Sequence, residues 1–284
     1  MSDFQPPRRD RTTFPRRSPD RQASRLSTRS YELFDGRRWL YGTHAVVAAL
    51  ANPARRWRRL VVLVGRQDEA TALVERARAT RRGKGEAVRV LDHDAFERIL
   101  PAGAVHQGLA LEVEPLAERD LEDVLRSAGE VAGLSIIVVL DRISDPQNIG
   151  AVLRSASAFG ALAVVITTHG APSATGALAK AASGAVEIVP LVRVVNLARA
   201  LDRLKRAAFW ICGLDETAPL PLARLELGER IALVLGSEGS GMRRLVRQRC
   251  DLIARLPTLP AQLTLNVSNA AAVALYELVR SRVI

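Results

Sequence analysis

The feature that most constrains this chain is Ser135-Ile136-Ile137-Val138-Val139-Leu140, an apolar run without polar alternation. A strand that is apolar on both faces must be covered on both. That is the situation of a central strand in a parallel sheet flanked by helices. Short runs of the same kind recur at 163–167, 186–189, 209–213, 231–235 and 252–256. Helical patterns separate them at 148–159, 175–183, 197–206 and 242–249, and a last one closes the chain at 269–282. This alternation predicts an α/β domain over residues 134–284, with helices on both faces of a parallel sheet.

The same alternation appears earlier on a smaller scale. Helical patterns at 44–50, 69–80 and 94–100 interleave with strand patterns at 60–64, 88–91 and 109–113. They predict a compact α/β domain over 31–113. Residues 114–133 are mostly polar, with a short helical stretch at 121–128, and read as an interdomain linker. Residues 1–30 carry eight Arg and three Asp, with Phe4 and Phe14 as the only aromatics. Such a segment cannot bury enough apolar surface to offset chain entropy, so a disordered basic tail is expected.

The charge balance narrows the partner. A net charge of +11 over 284 residues points to a polyanion, with nucleic acid first, because phosphate neutralisation releases counterions. Cys212 and Cys250 lie far apart without metal-ligand spacing. They read as thiols in a reducing compartment, not as a disulfide or a zinc site. His44, His93, His106 and His169 are scattered, and His106 is expected to help shape the first domain. No metal is expected. No apolar run reaches the roughly 20 residues of a membrane span. An apolar secretory segment is also missing from the N-terminus, so the expected location is the cytoplasm, away from membranes.

Three segments carry the chemistry. They are Asp145-Pro146-Gln147-Asn148-Ile149-Gly150-Ala151-Val152-Leu153-Arg154, Leu235-Gly236-Ser237-Glu238-Gly239-Ser240-Gly241-Met242, and Leu263-Thr264-Leu265-Asn266-Val267-Ser268-Asn269-Ala270. Each lies where an apolar run gives way to a helical pattern, and ligands of α/β sheets collect at the carboxyl ends of strands. The glycines of the second segment let backbone approach a ligand, and its free N–H groups suit polar or anionic atoms. It matches neither the G-x-x-x-x-G-K-[ST] phosphate loop nor the G-x-G-x-x-G dinucleotide turn. Arg154 sits in a helix of otherwise apolar and small residues, a setting that favours an assigned anionic partner. It lies six residues from Asn148, too far around the helix to share its face. Ser268 reads as a helix cap, which leaves Asn266 unexplained by capping.

Together the three segments resemble the signature motifs of the SpoU/TrmH family of RNA 2′-O-ribose methyltransferases, in the SPOUT class. In the first domain, Tyr41-Gly42-Thr43-His44-Ala45-Val46 and Gly103-Ala104-Val105-His106-Gln107-Gly108-Leu109 resemble the substrate-binding domain of the subfamily that makes 2′-O-methylguanosine in 23S ribosomal RNA. The resemblance implies a C-terminal parallel-sheet domain with a trefoil knot, preceded by an RNA-binding domain folded like certain ribosomal proteins. It also implies an S-adenosylmethionine cofactor and a homodimer with active sites at its interface. The family's functional residues fall on Asn148, Arg154, Glu238, Thr264 and Asn266. The cofactor-binding positions fall on Gly236, Ser237, Gly239, Leu256, Leu265 and Ser268.

This chain departs from the pattern in three places. Thr264 stands where the family has Ser, keeping a hydroxyl. Pro257-Thr258-Leu259-Pro260-Ala261 replaces the family's Pro-Met-x-Gly, and Asn269 replaces a small apolar residue. A guanidinium with a pKa above about 12 is a poor base, so Arg154 is expected to grip an RNA phosphate and stabilise developing alkoxide charge. Asn148 and Asn266 would orient the hydroxyl and the cofactor loop, and Glu238 would hold Arg154 or its neighbours. Two alternatives stand beside this reading: a transfer RNA 2′-O-methyltransferase, and a non-catalytic RNA-binding ribosome-assembly factor.

Overall fold

Two sheets organise the chain, and each exploits strand alternation to bury both of its faces. The structure, a computed structural model, describes residues 39–79, 88–168, 176–259 and 265–283. The basic segment 1–30, His169, Thr264 and the Pro260-Ala261 departure lie outside the described residues. All described residues belong to one compact unit, 36–284.

The first sheet has strands β1 (Trp39–Tyr41), β2 (Trp57–Leu63), β3 (Val88–Leu91) and β4 (Leu109–Val113), in the order β1-β4-β2-β3. The β4 strand is antiparallel to both its neighbours, and β2 pairs parallel with β3. Leu60, Val62, Leu109 and Leu111 pack on one face against α1 (Thr43–Ala51) and α2 (Gln67–Ala79). Tyr41, Val61 and Ala110 pack on the other against Phe96 of α3 (His93–Glu97) and against Leu100. The three-residue β1 is an addition to the sequence reading, being too short for periodicity to register.

The second sheet has strands β5 (Ser135–Leu140), β6 (Ala163–Thr167), β7 (Leu191–Val194), β8 (Trp210–Leu214), β9 (Leu220–Pro221), β10 (Arg230–Leu235) and β11 (Leu252–Arg255). Their order is β7-β6-β5-β10-β8-β11-β9, and every pair is parallel. In β5, Ile136, Val138 and Leu140 enter one core cluster while Ile137 and Val139 enter the other. The first cluster is closed by α5 (Pro146–Ala158) and α9 (Val267–Val283), the second by α4 (Leu121–Glu130) and α7 (Leu197–Arg206). The helix foreseen at 121–128 therefore contributes Leu121, Val124 and Ala128 to the core of the second sheet.

Three local expectations change. Residues 186–189 form no strand; a 3-10 turn spans Ala185–Glu187, and the edge strand is β7. Gly184, at φ 88°, starts that turn, and Val189 N–H bonds back to Ala185 O. Pro190 follows with no N–H for a ladder. The helical pattern at 242–249 shortens to α8 (Arg244–Arg247), because Arg243 is extended at ψ 146° as its N-cap. The last helix begins at Val267, two residues before Asn269.

Candidate active site

Strands β10, β8 and β11 lie side by side, and the loops at their carboxyl ends meet over a cleft of about 400 Å³. Gly236 to Gly241 form its floor. A Cβ at Gly236 would stand 2.1 Å from the Gly241 carbonyl carbon and 2.3 Å from Met242 N, so only glycine allows the loop to close on itself. The closure is held by Gly241 N–H donating to Ser237 O at 2.9 Å and by the Ser237 and Ser240 hydroxyls at 2.6 Å. Gly239 and Gly241 take φ 78° and 62°, a region that side chains resist.

The exit of this loop is fixed by a residue that the motif reading passed over. Asp141, fully buried at the end of β5, accepts from Arg243 N–H at 2.8 Å and from Arg243 Nε at 2.7 Å. Its buried charge is thereby paired and hydrogen-bonded at once. The partners are 102 residues apart, so only the folded sheet brings them together.

Asn266 joins the three motifs. Its Nδ2 donates to Asn148 Oδ1 at 3.1 Å and to Glu238 Oε1 at 2.7 Å. Its Oδ1 accepts from Ser268 N–H at 2.9 Å and from Ser268 Oγ at 2.6 Å. Both donors and both acceptor sites of the amide are used. Capping does explain half of Asn266, correcting the sequence reading, because with the helix starting at Val267 it is Asn266, not Ser268, that occupies the N-cap. The other half holds Asn148 and Glu238. Asn148 is placed by Asp145, whose carboxylate caps α5 through the Gln147 and Asn148 N–H groups, with Pro146 in the first turn.

Glu238 holds Asn266 and, at 3.4 Å, the Val267 N–H, rather than Arg154. Arg154 is exposed and has no ion-pair partner among the described residues. Six residues at about 100° each carry it roughly 120° around the helix from Asn148. Three groups are thus left with unused hydrogen-bonding capacity among the described residues: Asn148 Nδ2, Glu238 Oε2 and the Arg154 guanidinium.

The cleft is lined by Gly236, Ser237, Gly239, Leu256 and Leu265. Ser268 is not in the lining; it serves Asn266. The lining also includes Leu214, Asp215, Glu216 and Thr217 after β8, Thr258, and Val267 and Ala270 on α9, all absent from the sequence reading. Their signal was position alone, at the carboxyl end of a strand beside β10. Apolar walls, exposed backbone amides and carboxylates suit a nucleoside that carries positive charge. Asp215 is fixed there by Thr217 N–H at 2.9 Å and by an ion pair with Arg247.

His106 has a structural role, as expected. Its Nδ1 accepts from Gly108 N–H at 3.0 Å, which leaves Nε2 to donate to Glu97 at 2.8 Å. Among the described residues no group of His, Cys, Asp and Glu is arranged to hold a metal ion, and no helix is long and apolar enough to cross a membrane. Cys212 is buried and Cys250 half-buried, both as free thiols, and burial pushes each up to about 12.

Comparison with known proteins gives this geometry its context. The model of the SpoU rRNA methylase family matches residues 135–276, and a model described as RNA 2′-O ribose methyltransferase substrate binding matches residues 39–119. The chain belongs to the SpoU rRNA methylase family. Among curated relatives of this family, a 23S rRNA (guanosine-2′-O-)-methyltransferase RlmB of Xylella fastidiosa is 39% identical over 86% of this chain and 96% of its own. The RlmB of Escherichia coli is 36% identical over 86% of this chain and 98% of its own. In fold, the chain is similar to the SpoU methyltransferase AviRb from Streptomyces viridochromogenes, solved in complex with the cofactor AdoMet. That similarity has a TM-score of 0.70 and 24% identity, over 86% of this chain and 90% of that one.

Proposed function

We propose that this protein is an enzyme that transfers a methyl group from S-adenosylmethionine to the ribose 2′-hydroxyl of a guanosine in 23S ribosomal RNA. The observation that carries the proposal is the Asn266 node, which ties Asn148, Glu238 and the start of α9 together at the mouth of the cleft. The curated relatives, 36–39% identical over 86% of the chain, are named for that reaction on 23S RNA. They give no support to the transfer RNA and non-catalytic alternatives.

The cleft fits the cofactor. Its volume, about 400 Å³, falls within the roughly 300–1,000 Å³ of small-molecule sites. Gly236, Ser237, Gly239, Leu256 and Leu265 would hold the nucleoside against backbone amides and apolar walls, and Glu216, exposed in the lining, would face its cationic groups. S-adenosylmethionine, when bound, supplies an electrophilic sulfonium methyl. Everything else falls to the chain. Asn148, whose Nδ2 has no partner among the described residues, orients the ribose hydroxyl; Asn266 holds Asn148 in place and is itself held by Glu238. Arg154 would bind a phosphate of the RNA and stabilise charge developing on the 2′-oxygen, whose proton would pass to bulk water as the methyl is accepted. Thr264, in the motif that carries Asn266, is proposed as a further functional residue.

The assembly we propose is a cytoplasmic homodimer. Gln147, Arg154 and Ala158 on α5 and Asn269, Val273, Tyr276 and Arg280 on α9 are exposed at helical spacing. Val273 and Tyr276, 47% and 53% exposed and one helical turn apart on α9, supply apolar surface that a second copy would cover. In a dimer built on this face, Arg154, exposed on α5, would stand at the interface beside the partner's cleft. Residues 31–113 serve as the RNA-binding domain, 114–133 as a connection whose helix α4 packs on the second sheet, and 134–284 as the methyltransferase domain. The arginines of residues 1–30 add charge for RNA. With β10 inserted between β5 and β8, the strand order also fits a chain closed by a trefoil knot. Calorimetric titration with S-adenosylmethionine tests the cofactor, with one site per chain expected. Mapping ribose methylation of 23S RNA in cells lacking the protein tests the substrate, with loss of one methylguanosine expected. Unchanged methylation would overturn the assignment.

A further inference from the structure

Two glycines mark places where helices touch more closely than side chains permit. A Cβ on Gly150 of α5 would lie 2.4 Å from Ala181 Cβ and 2.8 Å from Ala182 N, both at the end of α6 (Gly176–Ala181). A Cβ on Gly184 would lie 2.4 Å from Ala48 Cβ and 3.1 Å from His44 O, both on α1 of the first sheet. The segment 176–188 is therefore gripped on one side by the helix that carries Asn148 and Arg154. On its other side it is gripped by the domain proposed to bind RNA. Its own side chains divide in the same way: Leu178, Ala182 and Ala185 enter the core under the second sheet, while Ala179 enters the core of the first.

A buried ion pair fastens the joint. Arg55 Nη2 lies 2.6 Å from Glu187 Oε1, with the side chains only 7% and 2% exposed. Arg55 Nε donates to both Glu187 oxygens at 3.1 Å, and Asn52 Nδ2 donates to Glu187 Oε2 at 2.8 Å and to its carbonyl at 3.2 Å. Arg55 Nη1 also donates to Glu114 O at 2.7 Å. Buried charges need every such bond to offset their desolvation, so this set tolerates one docking geometry and penalises the rest.

We propose that segment 176–188 is a rigid coupling between the two sheets, and that Arg55, Gly184 and Glu187 are positioning residues for methyl transfer. They act through α1 and α5, setting where RNA held by the first domain presents its ribose, without touching RNA or cofactor. The inference rests on the function proposed above. It gives the close packing at Gly150, inside the first motif, a reason that cofactor binding does not supply.

The test pairs a distance with a rate. Spin labels are placed at Arg89→Cys on β3 and Arg224→Cys beyond β9, both exposed positions; the native thiols, one buried, the other half-buried and both held neutral, are slow to label. With doubly labelled chains diluted into an excess of unlabelled protein, so that a dimer carries one labelled pair, the wild-type background is expected to give one narrow distance, and Glu187→Gln to broaden it. In single-turnover methylation of a 23S RNA fragment, Glu187→Gln is expected to keep the S-adenosylmethionine and RNA dissociation constants. Its rate at saturation should fall about tenfold or more, as for an ångström-scale misplacement. A broad distance distribution in the wild-type background overturns the coupling even if the variant fails to fold. So does wild-type turnover by Glu187→Gln. If instead the wild-type protein does not methylate 23S RNA, the functional assignment fails while the distance measurement still decides the joint.

Discussion

The node at Asn266 and the joint at Glu187 are both polar clusters that span distant parts of the chain, yet they are built in opposite ways. At the joint, charged side chains are buried and saturated by one another, and glycines bring backbone against backbone. At the node, neutral amides and one carboxylate sit at the mouth of a cleft, with Asn148 Nδ2 and Glu238 Oε2 unused among the described residues. A cluster with every valence closed can only hold. One with valences open toward a cleft can also bind. The contrast fits the roles proposed for them, stability and registration at the joint and chemistry at the node.

Breaking each cluster should therefore register in different measurements. The largest effect on stability is expected at the joint. Glu187→Ala leaves Arg55 buried without its counter-charge and should cost about 3–5 kcal/mol in denaturant unfolding. Asn266→Ala should instead cost only about 1 kcal/mol of stability, for a lost helix cap. Its turnover number should fall by about 10²–10³, comparable to losing one preorganised donor in an active site. A variant at the node that unfolded the protein, or one at the joint that left it as stable as wild type, would erase the contrast.

Between these lies Gly236→Ala. Its Cβ meets backbone at 2.1 Å, so the loop must open at a cost of about 3 kcal/mol, seen as a roughly 10²-fold weaker S-adenosylmethionine affinity. The smallest effect concerns the thiols. Burial raises Cys212 and Cys250 from an ordinary 9.0 to about 12. The folded state keeps protons that the unfolded state releases, so their contribution is complete below pH 9 and is lost as pH rises toward 12. Thermal melts from pH 8 to 11 should fall less steeply for a Cys212→Ala, Cys250→Ser double variant than for wild type.

Much of the second sheet was legible because continuous apolar runs have few alternatives. Residues 135–140 and 231–235 could hardly be anything but central strands. Residues 186–189 misled because Val186, Ile188 and Val189 carry strand propensity, while Gly184, Pro190 and the pull of Arg55 on Glu187 decide the conformation. The motif residues were legible through resemblance, but their connection was not. Asn148, Glu238 and Asn266 are separated by as many as 118 residues, and the N-cap role of Asn266 depended on a helix start displaced by two residues. Asp141 was hidden for the same reason, since a carboxylate at a strand end declares nothing until its partner at Arg243 is in place.

The most direct test of the account joins the node to the reaction. Cells lacking this protein would be complemented with wild-type or Asn266→Ala protein at equal abundance, and ribose methylation of their 23S RNA mapped by mass spectrometry. One 2′-O-methylguanosine should vanish in the deletion, return with the wild type and stay absent with Asn266→Ala. Full methylation restored by Asn266→Ala, or no methylguanosine lost in the deletion, would contradict the account.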